Sequence, residues 1–528
     1  MPKRVAVVGA GVAGLLSVRH ALLYGFDVTC YEGQADIAGT WRYRSEITED
    51  GSVMESTVMN SSKEMSAFSD FPPPPGSANF MPHYEFLEYV RSYAEHFELT
   101  KYVKLNTKAR FNKYVERPTS PKPVGGKDGE ISTEVFDAVL VCSGHHSRPF
   151  FPDPAPGQET FEGTITHGHQ YRAPKGRDGK VVVVVGTGNS GGDVAAELAR
   201  PAKQVYLSSR RGAFIETRCS DYGYPYDTLL LQRYKVYLLS LLPKRLRIFL
   251  REWHINSKFD HELYGLKPNH HVFQALQTIN DDLPSRIIAG QVKVRPGIKS
   301  FSKHGVTFVD GTTVDHVDEV IYCTGYQTEL ALVEEGNLVR LSDNRVPDLF
   351  EYVFPTDLEH DTLAVIGLIS GGSLRAILET QTRFALDVIA GGTRLPSIAE
   401  KKRIVEETAA AKQKNLVHSA RNTIFVDGYA YVDELAALMG STPPPFKDLL
   451  LSDPLLAYHV YFGPRTPYQF RLRGPHPWNG AREAILTTER RMAQGFNEKF
   501  STYPSNKYEM ALRVLFCAFF LLILFIVL

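Results

Sequence analysis

Cysteine is scarce and dispersed in this chain. Five residues, at 30, 142, 219, 323 and 517, are the whole complement of 528 residues, and no two stand in C-x-x-C. The number is odd, and all but Cys219 fall in predicted strands or in an apolar tail. This excludes a disulfide framework and a redox dithiol, and it suits a reducing compartment. Histidines cluster at His145-His146 and His167-x-His169, but no cysteine or carboxylate stands in ligand spacing, so no metal site is expected. Excess charge is also missing. Lys plus Arg number 59, as do Asp plus Glu, so no global field draws in nucleic acid. No secretory leader is expected, because Met1-Pro2-Lys3-Arg4 runs straight into the first apolar strand.

What the chain has is two glycine loops, each closing a run of valines. Val5-Ala6-Val7-Val8 leads into Gly9-Ala10-Gly11-Val12-Ala13-Gly14, and Val182 to Val185 leads into Gly186-Thr187-Gly188-Asn189-Ser190-Gly191. A strand entering G-x-G-x-x-G makes a tight turn, lets backbone approach a pyrophosphate and opens a helix whose N-terminus favours negative charge. Two such units imply two dinucleotides held at once. Glu32 stands roughly 20 residues past Gly9, where an acid accepts hydrogen bonds from a ribose 2′-hydroxyl. The equivalent stretch of the second unit ends in Ser208-Ser209-Arg210-Arg211. Arginine's rigid fork of donors matches a phosphate. The first loop therefore suits FAD and the second NADP(H), with a solvated strand end as the other reading of the arginines.

A second repeat supports this pairing. Asp137-Ala138-Val139-Leu140-Val141-Cys142-Ser143-Gly144 echoes Asp318-Glu319-Val320-Ile321-Tyr322-Cys323-Thr324-Gly325. Both read as buried strands ended by a hydroxyl and a glycine, each carrying the chain out of one nucleotide-binding unit. The expected fold is α/β, with two Rossmann-like dinucleotide-binding domains, a helical insertion and a C-terminal membrane helix. The expected limits are 1–153 for the first part of the FAD domain and 154–213 for the first part of the NADP domain. A helical insertion follows at 214–290, then the last part of the NADP domain at 291–325. The FAD domain resumes at 326–445, and a C-terminal segment fills 446–509 before an anchor at 510–528.

Two stretches bear on membranes. Every residue from Val514 to Leu528 is apolar, after Arg513. As a helix this run covers about 22 Å, short of the roughly 30 Å of a bilayer core. Met510-Ala511-Leu512 lengthen it if Arg513 snorkels. A core helix is the other reading. Within the insertion, Leu229 to Leu242 alternates apolar clusters with Lys235, and Lys244, Arg245, Arg247 and Arg251 interleave with Leu246, Ile248, Phe249, Leu250 and Trp253. This mix suits helices lying in a membrane interface or covering a substrate channel, and equally a packed helical insertion. Residues 117 to 130 read as a hairpin loop. Ala399 to Lys414 reads as a charged, solvated helix.

Between the loops lies Phe161-x-Gly163-x-x-x-His167-x-x-x-Tyr171. This spacing resembles the fingerprint of flavin-dependent class B monooxygenases. Over the whole chain, Asn60-Ser61-Ser62-Lys63-Glu64-Met65, Cys323-Thr324-Gly325-Tyr326, Asn280-Asp281-Asp282-Leu283-Pro284, Ala484-Ile485-Leu486-Thr487-Thr488 and the apolar tail resemble the vertebrate flavin-containing monooxygenases. Arg210-Arg211-Gly212-Ala213 with Asp221-Tyr222-Gly223-Tyr224-Pro225 is most similar to form 5 of that family.

The resemblance implies that NADPH reduces FAD and that the reduced flavin adds oxygen to give a C4a-(hydro)peroxyflavin. That species oxygenates soft nucleophiles, sulfides and amines, and extends to ketones by Baeyer–Villiger insertion. NADP stays bound and helps exclude water. Asn60 is implied as the key side chain, its amide presenting donor and acceptor near the flavin N5 edge. Thr40, Trp41, Ser61 and Gln381 are implied on the FAD side, with Gly9, Ala10, Gly11, Val12, Ala13, Gly14 and Glu32. Gly186, Gly188, Asn189, Ser190, Gly191, Gly192, Asp193, Ser209, Arg210 and Arg211 are implied on the NADP side.

Partners on this reading are molecular oxygen, a small lipophilic substrate and membrane lipid, with a homo-oligomer left open. The location is the endoplasmic reticulum membrane, with the catalytic part facing the cytosol. The sequence departs from the family at Ala38, where glycine is usual, and at Leu276-Gln277, where His-Pro is frequent. Two other functions compete: an NADPH oxidase releasing hydrogen peroxide, and a non-catalytic, membrane-tethered nucleotide sensor.

Overall fold

The computed structural model describes residues 1–109, 124–125, 131–220, 223–327, 330, 348–372, 374–417, 419 and 424–499. The expected anchor at 510–528, most of the loop at 117–130, Asp221, Tyr222 and Ser373 lie outside the described residues. Among those described, no helix is long and apolar enough to cross a membrane.

Two parallel sheets organise the chain. Their strands are β1 (Arg4–Val8), β2 (Asp27–Tyr31), β3 (Val103–Lys104), β4 (Ala138–Val141) and β5 (Thr164–His167). They continue with β6 (Val181–Val185), β7 (Gln204–Ser208), β8 (Val292–Arg295), β9 (Glu319–Tyr322) and β10 (Leu363–Val365). One sheet has the order β10-β4-β1-β2-β3, the other β8-β7-β6-β9-β5. Every pairing within the two is parallel. The second sheet is thus inserted in sequence between β4 and β10 of the first. Parallel strands covered on both faces need continuous apolar runs, which the valine stretches supply.

Helices cover the strands. Val12–Leu23 forms α1 and Asn189–Leu198 forms α2, each opening directly from a glycine loop. The insertion contributes α3 (Arg233–Ser240) and α4 (Lys244–Asn256), and Leu374–Ala390 forms α5. Val5, Val7 and Leu140 pack with Leu15 and Leu16 of α1 and with Ile377 and Phe384 of α5. Val182, Val184, Val205 and Leu207 pack with Val194, Ala195 and Leu198 of α2. The other face of the valine run, Val181 and Val183, packs with Phe301, Val306 and Phe308.

Both sheets reverse strand order beside the strand that carries the loop. In the first, β2 lies on one side of β1 and β4 on the other; in the second, β7 and β9 flank β6. Such switch points are where open α/β sheets hold ligands. The tail ends of β4 and β9 therefore abut the two loops, which explains why their sequences echo each other. A Cβ on Gly9 would lie 2.6 Å from the Cys142 carbonyl oxygen, and one on Gly186 2.6 Å from that of Cys323. The charged helix expected at 399–414 spans Ile398–Asn415, but its face is not wholly solvated. Lys401 is buried, 2.7 Å from Asp361.

Candidate active site

In the first loop the three glycines have separate jobs. Gly9 has φ +100, and its N–H donates to the Tyr31 carbonyl, closing the turn onto β2. A Cβ on Gly14 would lie 1.8 Å from the Gly9 oxygen, so helix and loop touch there. Gly11 is different. The nearest atom to a Cβ there is Gly39 Cα, at 3.9 Å. Protein packing does not require glycine at 11, and the bare backbone there is open to the close approach of a pyrophosphate. The α1 N-terminus has no side-chain cap and no acid in its first turn, so its N–H groups remain for a phosphate. This cradle fits a flavin dinucleotide.

Glu32 ends β2 and lies under the loop. Its carboxylate accepts from the N–H of Ala10 at 2.6 Å and of Gln34 at 2.9 Å. Two of its lone-pair sites are used, which leaves acceptor capacity for ribose hydroxyls. Ala38 holds φ +75, the left-handed conformation that favours glycine, and its N–H donates to the Ala10 carbonyl. The turn is therefore kept despite the Cβ. It delivers Thr40 and Trp41 to the loop, with the Trp41 ring edge-on to Phe86 at 4.6 Å. Gln381 is fully buried with both ends of its amide engaged. Its Oε1 accepts from Gly367 N–H at 3.0 Å, and its Nε2 donates to the Tyr431 hydroxyl at 2.9 Å. In this structure Gln381 fixes the turn after β10.

Around the second loop the arrangement repeats. Gly186 has φ +111, and a Cβ on Gly191 would lie 1.9 Å from the Gly186 oxygen. A Cβ on Gly192 would lie 3.3 Å from the Thr278 methyl, so α2 packs closely against that segment. Ser209, just past β7, meets Thr187 of the loop, hydroxyl to hydroxyl at 3.2 Å. Arg210 and Arg211 follow and are exposed, as a site for a ligand phosphate requires. Gly188 provides no side-chain cap at the start of α2, and Ser190 is exposed in its first turn. Asn189 Oδ1 accepts from Ile279 N–H at 2.9 Å, and Asp193 accepts from the Asn280 amide at 2.7 Å. Burial pushes the Asp193 carboxyl up to about 6.

Asn60 stands between these regions. Its Oδ1 accepts from Arg218 Nη2 at 2.7 Å, and its backbone carbonyl accepts from the Tyr226 hydroxyl at 3.1 Å. The same guanidinium donates to the Met59 carbonyl and pairs with Asp281 at 2.8 Å. Asp227, buried and pushed up to about 6 by desolvation, accepts from Ser62 N–H. Ser61 shares a hydrogen bond with Ser66. Sequence reading missed Arg218, Tyr226 and Asp227 as parts of the site. The only available signal was the Asp221-to-Pro225 segment between them, and it names none of the three.

His167 closes β5 and caps the turn that follows, its Nδ1 accepting from His169 N–H at 3.0 Å. Burial lowers it to about 4, so the ring is neutral. His169 reaches the Thr48 carbonyl at 2.9 Å, and Arg172 donates to the Arg44 carbonyl at 2.7 Å. The fingerprint thus ties the second sheet to the 44–48 segment beside the first. Among the described residues, no group of three His, Cys, Asp or Glu side chains is placed to hold a metal.

Neutral burial has a consequence in acid. The unfolded chain protonates His167 near 6.5 while the folded chain resists to about 4. Its contribution to stability is full above pH 6.5 and is lost as pH falls through that window. Asp193 and Asp227 act oppositely, since their raised values favour the folded state as pH falls below about 6. The variant His167→Gln should therefore lose less melting temperature than the parent between pH 7.5 and 4.5. Parallel losses in paired thermal melts would refute a neutral His167.

Two dinucleotide cradles at the switch points of two parallel sheets, the second tied through Arg218 to Asn60, are the frame of a flavin-dependent oxidoreductase. The comparisons give its family. The flavin-binding monooxygenase-like family model matches residues 2–528. Flavin-containing monooxygenase 5 of Cavia porcellus is 42% identical over 511 residues, covering 96% of this chain and 95% of that protein. The chain belongs to the flavin-binding monooxygenase-like family and is a flavoprotein monooxygenase. Among solved structures, S-allyl-L-cysteine S-oxygenase from Allium sativum has TM-score 0.64 at 24% identity, covering 92% of this chain and 99% of that one. Cyclohexanone monooxygenase from Rhodococcus sp. Phi1 bound to NADP+ has TM-score 0.57 at 16% identity, covering 83% and 98%. Both share the fold.

Proposed function

We propose that this enzyme uses NADPH and molecular oxygen to transfer one oxygen atom to a small lipophilic nucleophile, a sulfide or amine, with ketones as a further class. The second oxygen atom leaves as water, with NADPH supplying the two electrons. The observation that carries this reading is the chain of contacts from the second cradle to Asn60, which follows Met59 of the first sheet's core. Asp193 and Asn189 of the second loop meet Asn280 and Ile279, Asp281 pairs with Arg218, and Arg218 holds Asn60. FAD, when bound, supplies hydride acceptance and oxygen activation. The chain's own residues bind and orient. Glu32 and the first loop hold the adenosine and pyrophosphate, Ser209, Arg210 and Arg211 hold the NADP phosphate, and Asn60 presents its amide to the reacting edge.

The test is a three-way balance of NADPH consumed, peroxide released and product formed, with labelled oxygen gas and a panel of sulfides, amines and ketones. One labelled oxygen in product per NADPH is expected with at least one class. Peroxide equal to NADPH under every substrate would establish an oxidase instead, and no NADPH consumption a nucleotide sensor.

The same reading puts the protein on the endoplasmic reticulum membrane, held by the anchor at 510–528 and by the insertion. The support is the exposure of Tyr237 and Leu239 on α3, of Leu241 just after it, and of Phe249 and Trp253 on α4, together with exposed Lys244 and Arg245 at the start of α4. Apolar side chains flanked by cations suit an anionic interface. With residues 510–528 removed, binding to phosphatidylserine-containing vesicles should persist, and Phe249→Ser with Trp253→Ser should weaken it by at least about tenfold. Unchanged vesicle sedimentation of that variant would reject the interfacial role.

A further inference from the structure

Arg375 is a buried cation that makes no ion pair among the described residues. It occupies the second position of α5 and is 8% exposed. Its guanidinium lies 4.4 Å from the centre of the Phe86 ring and 5.8 Å from that of Trp41. Among the described residues its hydrogen bond runs from Nη2 to the Ser61 hydroxyl at 3.4 Å, and Nε has no partner. Other buried arginines here are satisfied differently. Arg471 lies by Asp70 and Glu379, Arg491 is bound to Glu64, and Arg383 donates to the carbonyls of Phe470 and Pro475. Among the described residues no carboxylate lies within ion-pair distance of Arg375. Two aromatic rings offset only part of the cost of desolvating a guanidinium, and burial pulls Arg375 down to about 9.

Its neighbours fix its place. Trp41 lies two residues past Gly39, whose Cβ would lie 3.3 Å from Gly11 Cα in the first loop. Ser61 follows Asn60. Arg375 therefore stands at the wall shared by the loop and the asparagine. We propose that Arg375 is the countercharge for the flavin cofactor, pairing with an anionic part of bound FAD. Two parts carry that charge: the pyrophosphate in every state, and the N1–C2 carbonyl edge of the ring once it is reduced and deprotonated. A guanidinium with a free Nε edge serves either. The proposal rests on the first loop holding FAD, which the stoichiometry of the parent protein checks independently.

The experiment compares holoenzyme of the parent, Arg375→Met and Arg375→Lys. FAD is titrated into the stripped protein by flavin fluorescence, and the midpoint potential is read against reference dyes. A pyrophosphate contact predicts that Arg375→Met weakens oxidised FAD at least tenfold with the potential unchanged. A ring contact predicts oxidised affinity within twofold, but a tenfold loss in preference for reduced flavin, a fall of about 30 mV for a two-electron couple. In either case Arg375→Lys retains part of the effect, because it keeps the charge and loses the fork. Either pattern supports the proposal. Unchanged affinity and potential in Arg375→Met overturn it, even if thermal stability changes. Should Arg375→Met not fold, Arg375→Gln takes its place as the neutral variant and is read by the same two criteria, unchanged affinity and potential again overturning the proposal. A parent that binds no FAD overturns the proposal together with the loop assignment.

Discussion

Replacing Asn60 with alanine should leave FAD bound and lower oxygenated product per NADPH by about a hundredfold or more, with peroxide rising in its place. The magnitude follows from the cost of removing one preorganised donor aimed at developing charge, typically two to three orders in rate. Arg218 makes the donor preorganised. By bonding Oδ1 it fixes which way the amide faces, with Nδ2 making no hydrogen bond among the described residues. Tyr226 holds the backbone carbonyl of the same residue, so the loss on substitution is that of the amide and not of the loop. Asn60→Asp should fail similarly, since a carboxylate next to Arg218 pairs with it and offers no donor. Both variants are assayed for bound flavin by absorbance and for product and peroxide by the balance described above. Normal product yield in Asn60→Ala would remove the side chain from the mechanism.

The second large effect concerns cofactor choice. Arg210→Ala with Arg211→Ala should reduce kcat/KM for NADPH about a hundredfold while changing that for NADH little. Charge-assisted contacts to a phosphate contribute about 1.5–3 kcal/mol each, and an exposed pair that shares one phosphate falls short of additivity. Both arginines are exposed at the end of β7, and Ser209 beside them is tied to Thr187 of the loop. No carboxylate follows β7 to favour a free 2′-hydroxyl there. An unchanged ratio of NADPH to NADH efficiency would place the 2′-phosphate elsewhere.

Much of the architecture was legible because it is periodic or local. A valine run entering G-x-G-x-x-G can hardly be other than a buried parallel strand and a helix start, and both appear where the pattern puts them. The echo between the 137–144 and 318–325 segments was visible, but its reason was not. It is a packing constraint, the carbonyl after each strand lying against the first glycine of each loop. Local reading placed the charged helix at Ile398–Asn415 but not the burial of its Lys401 against Asp361, because that partner lies 40 positions away.

By itself, then, the sequence determined two nucleotide folds, their order along the chain and the opposite chemistry of Glu32 and Arg210-Arg211 at the two strand ends. These depend on residues within about 30 positions of each other, the span of one strand-helix-strand unit. Tertiary structure alone decided how the two folds communicate. The contacts that fix Asn60 come from Arg218, 158 positions away, and Arg218 takes its carboxylate from Asp281, 63 positions further on. It also decided that Gln381 bonds Gly367 and Tyr431, and that Arg375 has no carboxylate at ion-pair distance among the described residues and an unpartnered Nε. A side chain's composition names what it can bond. Which of its bonds are already made is set by long-range packing, and no local pattern encodes that.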